Sequence, residues 1–226
     1  MSRPALSIVL PVLNEAGGMA ATLVSLAPLR QRGVEVIVVD GGSEDATAAL
    51  ARPHADAVVA AARGRARQMN AGAAAARGVV LLFQHADTQL PPEADRLVAT
   101  AIEAGALWGR FDVNIVGRHP VLRVVATLMN TRSRWTGIAT GDQALFVRRD
   151  VFERVGGFPD QPLMEDIELS KRLRRLAPPA CLRERVATSG RRWETRGVWA
   201  TIFLMWRLRW RYWRGESAHS LAEAYR

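Results

Sequence analysis

Val34-Glu35-Val36-Ile37-Val38-Val39 runs directly into Asp40-Gly41-Gly42-Ser43-Glu44-Asp45. A continuous apolar, β-branched run of this kind reads as a strand buried on both faces, the habit of parallel sheets. It stops abruptly at an acid, two glycines and a serine. In open α/β sheets, ligands bind just beyond the carboxyl ends of strands. An acid placed there can hold ribose hydroxyls, and glycine lets a ligand approach the backbone. The stretch points to a nucleotide.

Working outward, Ser7–Val12 reads as the preceding strand, with Asn14 and Glu15 at its end. A helix follows from about Ala16 to Arg32, with Gly33 as its stop. Downstream come a short helix at Ala46–Leu50, a short strand at Ala57–Val59 and an Ala-rich helix from Gly64 to Arg77. A second fully apolar strand, Val79–Phe83, ends in Gln84-His85-Ala86-Asp87. This alternation predicts an α/β fold, a mostly parallel sheet with helices on both faces. The pattern then changes. Phe111, Val113 and Ile115 alternate with Asp112 and Asn114, predicting a half-exposed, antiparallel strand. Another strand is expected at Ala144–Val147, then a short helix with Asp150 and Glu153 as a capping box, ending at Gly156-Gly157. A basic helix spans Ile167–Leu176, Pro178-Pro179 breaks the chain, and an aromatic helix runs from about Gly197 to Arg214.

The 226 residues suit one sizeable core, read as a domain over 1–196 followed by a helix and tail over 197–226. The single cysteine, Cys181, excludes an internal disulfide framework and fits a reducing cytoplasm. No signal peptide and no membrane-spanning run is expected. Charge is concentrated late: Lys171–Arg226 holds 14 Lys/Arg against 4 Asp/Glu, a net +10, while the whole chain carries +9. Any anionic surface is therefore met by the last quarter.

Several segments, in this order, resemble the family 2 glycosyltransferases. Ser7–Glu15 is similar to their first strand and loop, and Val38–Asp45 to their second. His85-Ala86-Asp87-Thr88 stands where they keep a metal-binding D-x-D. Gly141-Asp142-Gln143 and Met164-Glu165-Asp166 resemble their acceptor-side loop and base motif, and Ser189-Gly190-Arg191-Arg192-Trp193 their late Arg-rich loop. Within that family the chain resembles the short bacterial arsenosugar-type glycosyltransferases. The resemblance implies a GT-A fold and transfer of a sugar from a nucleotide-sugar, a UDP-sugar in the first instance, to a hydroxyl acceptor, with inversion and with Mg²⁺ or Mn²⁺. The sequence departs from the family at Gly41, where many members carry a second Asp, and at His85, which replaces the first Asp of the metal motif.

Residue by residue, Pro11, Asn14 and Glu15 would line the base side and Asp40 would accept from ribose or base; Asn14 and Asp40 also read as helix and turn caps. Arg65 and Asn70 open a basic helix start suited to phosphate, or to solvent. Asp87 would ligate the cation, with His85 as a further ligand or a structural histidine. Asp166 is the expected base, with Glu165 holding it or the acceptor; Asp166 also reads as a cap. Asp142 faces donor sugar or acceptor. Arg191, Arg192 and Trp193 would fold over the diphosphate, or form a solvated loop.

In the tail, Trp199, Phe203, Trp206, Trp210 and Trp213 recur at helical spacing, flanked by Arg207, Arg209, Arg211 and Arg214. Three readings stay open: a helix lying on an anionic membrane, which would fit a lipid-linked or apolar acceptor; a core helix; and a homodimer interface. The first would place the protein peripherally on the inner face of the cell membrane. Nucleic acid is not an expected partner. The rival functions are a nucleotidyltransferase, disfavoured because Leu13–Gly18 lacks a basic residue, and a non-catalytic polyanion-binding protein, which leaves the acidic strand ends without a purpose.

Overall fold

In the computed structural model, which describes residues 4–225 and omits the side chain of Arg192, the two apolar runs are neighbouring parallel strands. These are β1 (Leu6–Val12) and β2 (Glu35–Asp40), with Val9 opposite Ile37 and Val12 opposite Asp40. β3 (Ala57–Ala60) lies outside β2, and β4 (Val80–Phe83) pairs with β1 on its other side, both in parallel. The connections are α1 (Ala16–Gln31), α2 (Thr47–Ala51) and α3 (Arg65–Ala75).

Alternate residues of these strands enter two different cores. Ile8, Leu10, Val36, Val38 and Leu82 pack with Met19, Leu23, Leu26 and Leu29 of α1. Val9, Ile37, Val39, Leu81 and Phe83 pack with Ala66, Met69 and Ala73 of α3. Both faces are dry, so the strands show no polar alternation. Each Val, Leu or Ile fully removed from water contributes roughly 1.5–3 kcal/mol. α3 lies so close to the sheet that a Cβ on Gly72 would come within 2.4 Å of Val9 Cγ1.

The remaining elements are β5 (Thr88–Gln89), α4 (Ala94–Glu103), β6 (Trp108–Val116), α5 (Val121–Thr136), β7 (Phe146–Arg148), α6 (Arg149–Arg154), α7 (Glu165–Arg174), β8 (Ala180–Ser189), α8 (Arg191–Arg196), α9 (Val198–Trp213) and α10 (Ala218–Tyr225). They complete one sheet of order β3-β2-β1-β4-β7-β6-β8-β5. β7 runs antiparallel to β4 and β6, and β5 antiparallel to β8; the other pairings are parallel.

Four sequence expectations need correction. β6 is antiparallel to β7 but parallel to β8, and it is not half-exposed. Its polar residues lie under α5: Arg110 is paired with Asp112 and donates to Ser133 Oγ, while the Asn130 amide bonds both Val113 N–H and C=O. Asp150 does not cap α6; it pairs with Arg148 at 2.8 Å. Arg191–Arg196 is a helical turn rather than a loop. Finally, the aromatic stripe of α9 is not core: Trp199, Phe203, Trp206, Trp210 and Trp213 are 55–81% exposed, while Leu208 on the other side of the helix is buried with Leu163 and Met164. Among the described residues no helix is long and apolar enough to cross a membrane.

Candidate active site

A cavity of about 470 Å³ opens beyond the carboxyl ends of β1 and β4. Pro11, Glu15, Arg65, His85, Asp87, Asp142, Glu165, Asp166 and Trp193 all line it, although they lie up to 182 positions apart in the sequence. The segments after β1 and β2 are stitched together at one side. Asn14 sits in the left-handed region (φ 53°), its N–H donates to Ser43 Oγ at 2.9 Å, and its Oδ1 accepts from Glu44 N–H at 2.9 Å. Asn tolerates this conformation better than most residues. Asp40 accepts from the N–H and hydroxyl of Ser43, so it shapes the Gly41-Gly42 turn and is half-buried. Asn14 therefore does not cap α1; Asp45 does, accepting from Ala16 N–H at 3.1 Å.

Gln68 was not legible as a site residue, yet it sets this wall. Its Nε2 donates to Val12 C=O at 2.8 Å and Val39 C=O at 2.9 Å, tying the ends of β1 and β2 together. A Cβ on Gly41 would stand 2.9 Å from that amide, so Gln68 occupies the space a side chain at position 41 would need.

Opposite charges converge at the start of α7. Met164, its N-cap, is again left-handed (φ 65°). Asp166 accepts from Gly141 N–H at 2.8 Å and from Ile167 N–H at 2.7 Å, which fixes its carboxylate in the cavity wall. Glu165 is 3% exposed, Arg65 Nη1 lies 3.5 Å from its Oε1, and that oxygen makes no hydrogen bond. Burial pushes the Glu165 carboxyl above the usual carboxylate range; Arg65 opposes the shift and the charge of Asp166 adds to it.

Asp87 is exposed at the cavity floor. His85 Nδ1 lies 3.4 Å from Asp142 Oδ1, while its Nε2 is buried without a hydrogen-bond partner. The ring fills the space of a side chain at Gly141, whose Cβ would fall 2.3 Å from Nε2. Among the described residues no group of three His, Cys, Asp or Glu side chains forms a self-sufficient metal cage. The open carboxylate of Asp87, with the His85 ring in the same lining, fits a divalent ion that takes its other ligands from phosphate and water.

Four predicted contacts do not line the cavity: Asn14 and Asp40, held in the loop hydrogen bonds described above, and Arg191 and Asn70. Arg191 is 73% exposed, with its guanidinium 4.0 Å from Glu15 Oε2 across the mouth. The Asn70 side chain does not line the cavity; it donates to Phe158 C=O at 2.8 Å and accepts from Phe158 N–H at 3.0 Å, holding α3 to the following loop. The side chain of Arg192 lies outside the described residues. Conversely, α9 and α10 contribute Thr201, Met205, Arg209 and Tyr225 to the cavity. Their helical pattern alone gave no sign of this, because it marks that two faces differ without saying what either face meets.

Comparison with known proteins agrees with this arrangement. The family model described as glycosyl transferase family 2 matches residues 7–156. The probable glycosyltransferase YdaM of Bacillus subtilis is 27% identical over 237 residues, covering 94% of this chain and 55% of that protein. A PGL/p-HBAD biosynthesis glycosyltransferase of Mycobacterium bovis is 31% identical over 178 residues, covering 70% of this chain and 64% of its own. The chain thus spans between half and two thirds of the length of these relatives. Among solved structures, Staphylococcus aureus TarS 1–349 in complex with UDP-GlcNAc superimposes with a TM-score of 0.68 at 19% identity, over 81% of this chain and 58% of that one. The mannosyltransferase PcManGT of Pyrobaculum calidifontis, in complex with GDP-Man and Mn²⁺, gives 0.65 at 22% identity, over 99% and 70%. These likenesses establish the GT-A fold.

Proposed function

The chain belongs to glycosyl transferase family 2, and from that premise we propose that it moves a sugar from a nucleoside-diphosphate sugar to an acceptor hydroxyl, with a divalent cation and inversion at the anomeric carbon. The observation that carries this reading is that Asp87 and Asp166 line one cavity with Pro11 and Glu15 from the end of β1, whose following loop is stitched to the end of β2. The nucleoside lies along Pro11, Glu15 and the turn shaped by Asp40, and Arg65 at the start of α3 faces the phosphates. A cation held by Asp87, with His85 beside it, and by the donor's phosphate oxygens would neutralise the departing diphosphate.

Asp166 accepts the proton of the acceptor hydroxyl as that oxygen bonds the anomeric carbon. The bond from that carbon to the diphosphate breaks, and its electron pair leaves with the nucleoside diphosphate. Attack from the face opposite the leaving group inverts the centre. Two backbone N–H groups hold the Asp166 carboxylate in place. Arg191 and Trp193 would meet the donor at the mouth.

The test is nucleoside diphosphate release from a panel of UDP-, GDP- and dTDP-sugars with Mn²⁺ or Mg²⁺. Release from one donor, lost in Asp87→Asn, supports the reading; release from none sinks it. The acceptor is met at a membrane: the exposed aromatics of α9, with Arg207 and Arg214 exposed beside them, form a face suited to anionic lipid, and the opposite side of the same helix lines the cavity.

A further inference from the structure

We propose that Arg132 and Arg209 form a seat for an acid group of the acceptor, a phosphate or carboxylate carried close to the hydroxyl that receives the sugar. Arg132 stands on α5 and Arg209 on α9, both outside the motifs that resemble the family. Arg209 lines the cavity. Nε and Nη2 of Arg132 and Nε of Arg209 are buried and make no hydrogen bond among the described residues. A guanidinium carries five N–H donors and cannot shed its charge at ordinary pH, so buried, unfilled donors are costly unless a ligand satisfies them.

The contrast with Arg110 is direct. That arginine is fully buried, but Asp112, Ser133 Oγ and the Asn130 carbonyl satisfy it. Arg132 and Arg209 instead repel each other. Burial, then the charge of Arg209, pushes Arg132 down to about 10, and Asp166 only partly offsets this. Burial likewise holds Arg209 below its ordinary value, against Asp166 and Asp142. Two adjacent cations with open donors form an anion site.

Its position identifies whose anion it takes. On the transferase reading the donor phosphates would be served by Arg65 and by a cation held at Asp87. Arg209 lines the cavity together with Asp166, the group that must touch the acceptor hydroxyl, and it stands on α9, whereas the donor is assigned to the ends of β1 and β4 and the start of α3. The assignment to the acceptor rests on the transferase reading; the existence of the anion site does not.

The test titrates inorganic phosphate against the whole protein by calorimetry, with and without saturating UDP and Mn²⁺. Arg132→Gln and Arg209→Gln should each weaken phosphate binding tenfold or more, while UDP affinity stays within twofold. Phosphate affinity unchanged in both variants overturns the proposal. UDP affinity falling in parallel moves the pair to the donor side and also overturns it. If UDP does not bind the wild type, the transferase reading suffers, yet the phosphate titration still decides the site.

A second readout is independent of any ligand. Removing an unmatched buried cation should raise the Tm of the free protein by a few degrees, whereas removing a structural arginine lowers it. The carrier of the acid group is separated by offering glycerol 3-phosphate in solution and phosphatidylglycerol in vesicles. A response to either that is lost in Arg209→Gln supports the site and tells its source; responses equal in wild type and variant count against it.

Discussion

Asp166 and its neighbour Glu165 are adjacent in sequence but set up for different work. Asp166 is held by two N–H donors at the cavity wall, so Asp166→Asn preserves size while removing the proton acceptor. The expected result is a fall in kcat of about 10²–10⁴-fold with nucleotide Kd within twofold, read by steady-state kinetics and calorimetry. An equal loss of nucleotide affinity would assign Asp166 to binding instead. Glu165 is buried, and its pKa lies above its ordinary 4.5. For a raised acid, the contribution to stability is complete below the unfolded value and is lost as pH rises through the folded one. Glu165→Gln carries the neutral form at every pH. The Tm difference, Gln minus Glu, should therefore be larger at pH 8 than at pH 5, and a difference independent of pH would contradict a raised pKa. Residue-scale legibility was uneven for a related reason. Asp87 and Asp166 stand at element ends, where the pattern of strand and helix picks them out. Gln68 and Gly41 are a matched pair 27 positions apart, and neither carries a signal until the other is placed against it.

Helix α9 shows what an element reveals before it is packed. Its aromatic spacing fixed one face, but a core stripe, a dimer seam and a membrane face share that spacing. The structure places Leu208 inward and the tryptophans outward. The same limit hid α5: Asn130, Ser133 and Arg134 look like solvent-facing residues, yet they bind the backbone and polar side chains of β6. Strands β1, β2 and β4 were legible because both their faces are dry, a condition that polar partners on β6 disguise. If α9 lies on lipid, Trp206→Glu with Trp210→Glu should cut cosedimentation with phosphatidylglycerol vesicles at least tenfold and leave far-UV circular dichroism unchanged. Binding of the wild type should weaken as salt rises, since the exposed arginines are screened. Undiminished binding by the double variant would remove the membrane reading while leaving the site intact.

At the scale of the whole molecule, the cavity is lined by the ends of β1 and β4, the starts of α3 and α7, and the two last helices. A ligand spanning it would bind the folded state alone, so it should stabilise the whole chain by mass action. At a nucleotide concentration of 100 Kd that gain is about 2.7 kcal/mol. For a chain of this length each kcal/mol moves Tm by roughly 2–4 °C, so the preferred nucleoside diphosphate should raise it by about 5–10 °C. The shift should depend on the cation, because Asp87 is the one carboxylate in the segment Gln84–Thr88 that follows β4 and no three-ligand cage stands among the described residues to hold an ion without the diphosphate. Mn²⁺ alone should therefore move Tm little, UDP or GDP alone somewhat, and the two together most, with Asp87→Asn abolishing the excess. A large shift from Mn²⁺ alone would mean the protein holds the ion by itself, and a shift from nucleotide that EDTA leaves intact would mean that Arg65 and the loops hold the diphosphate without a metal.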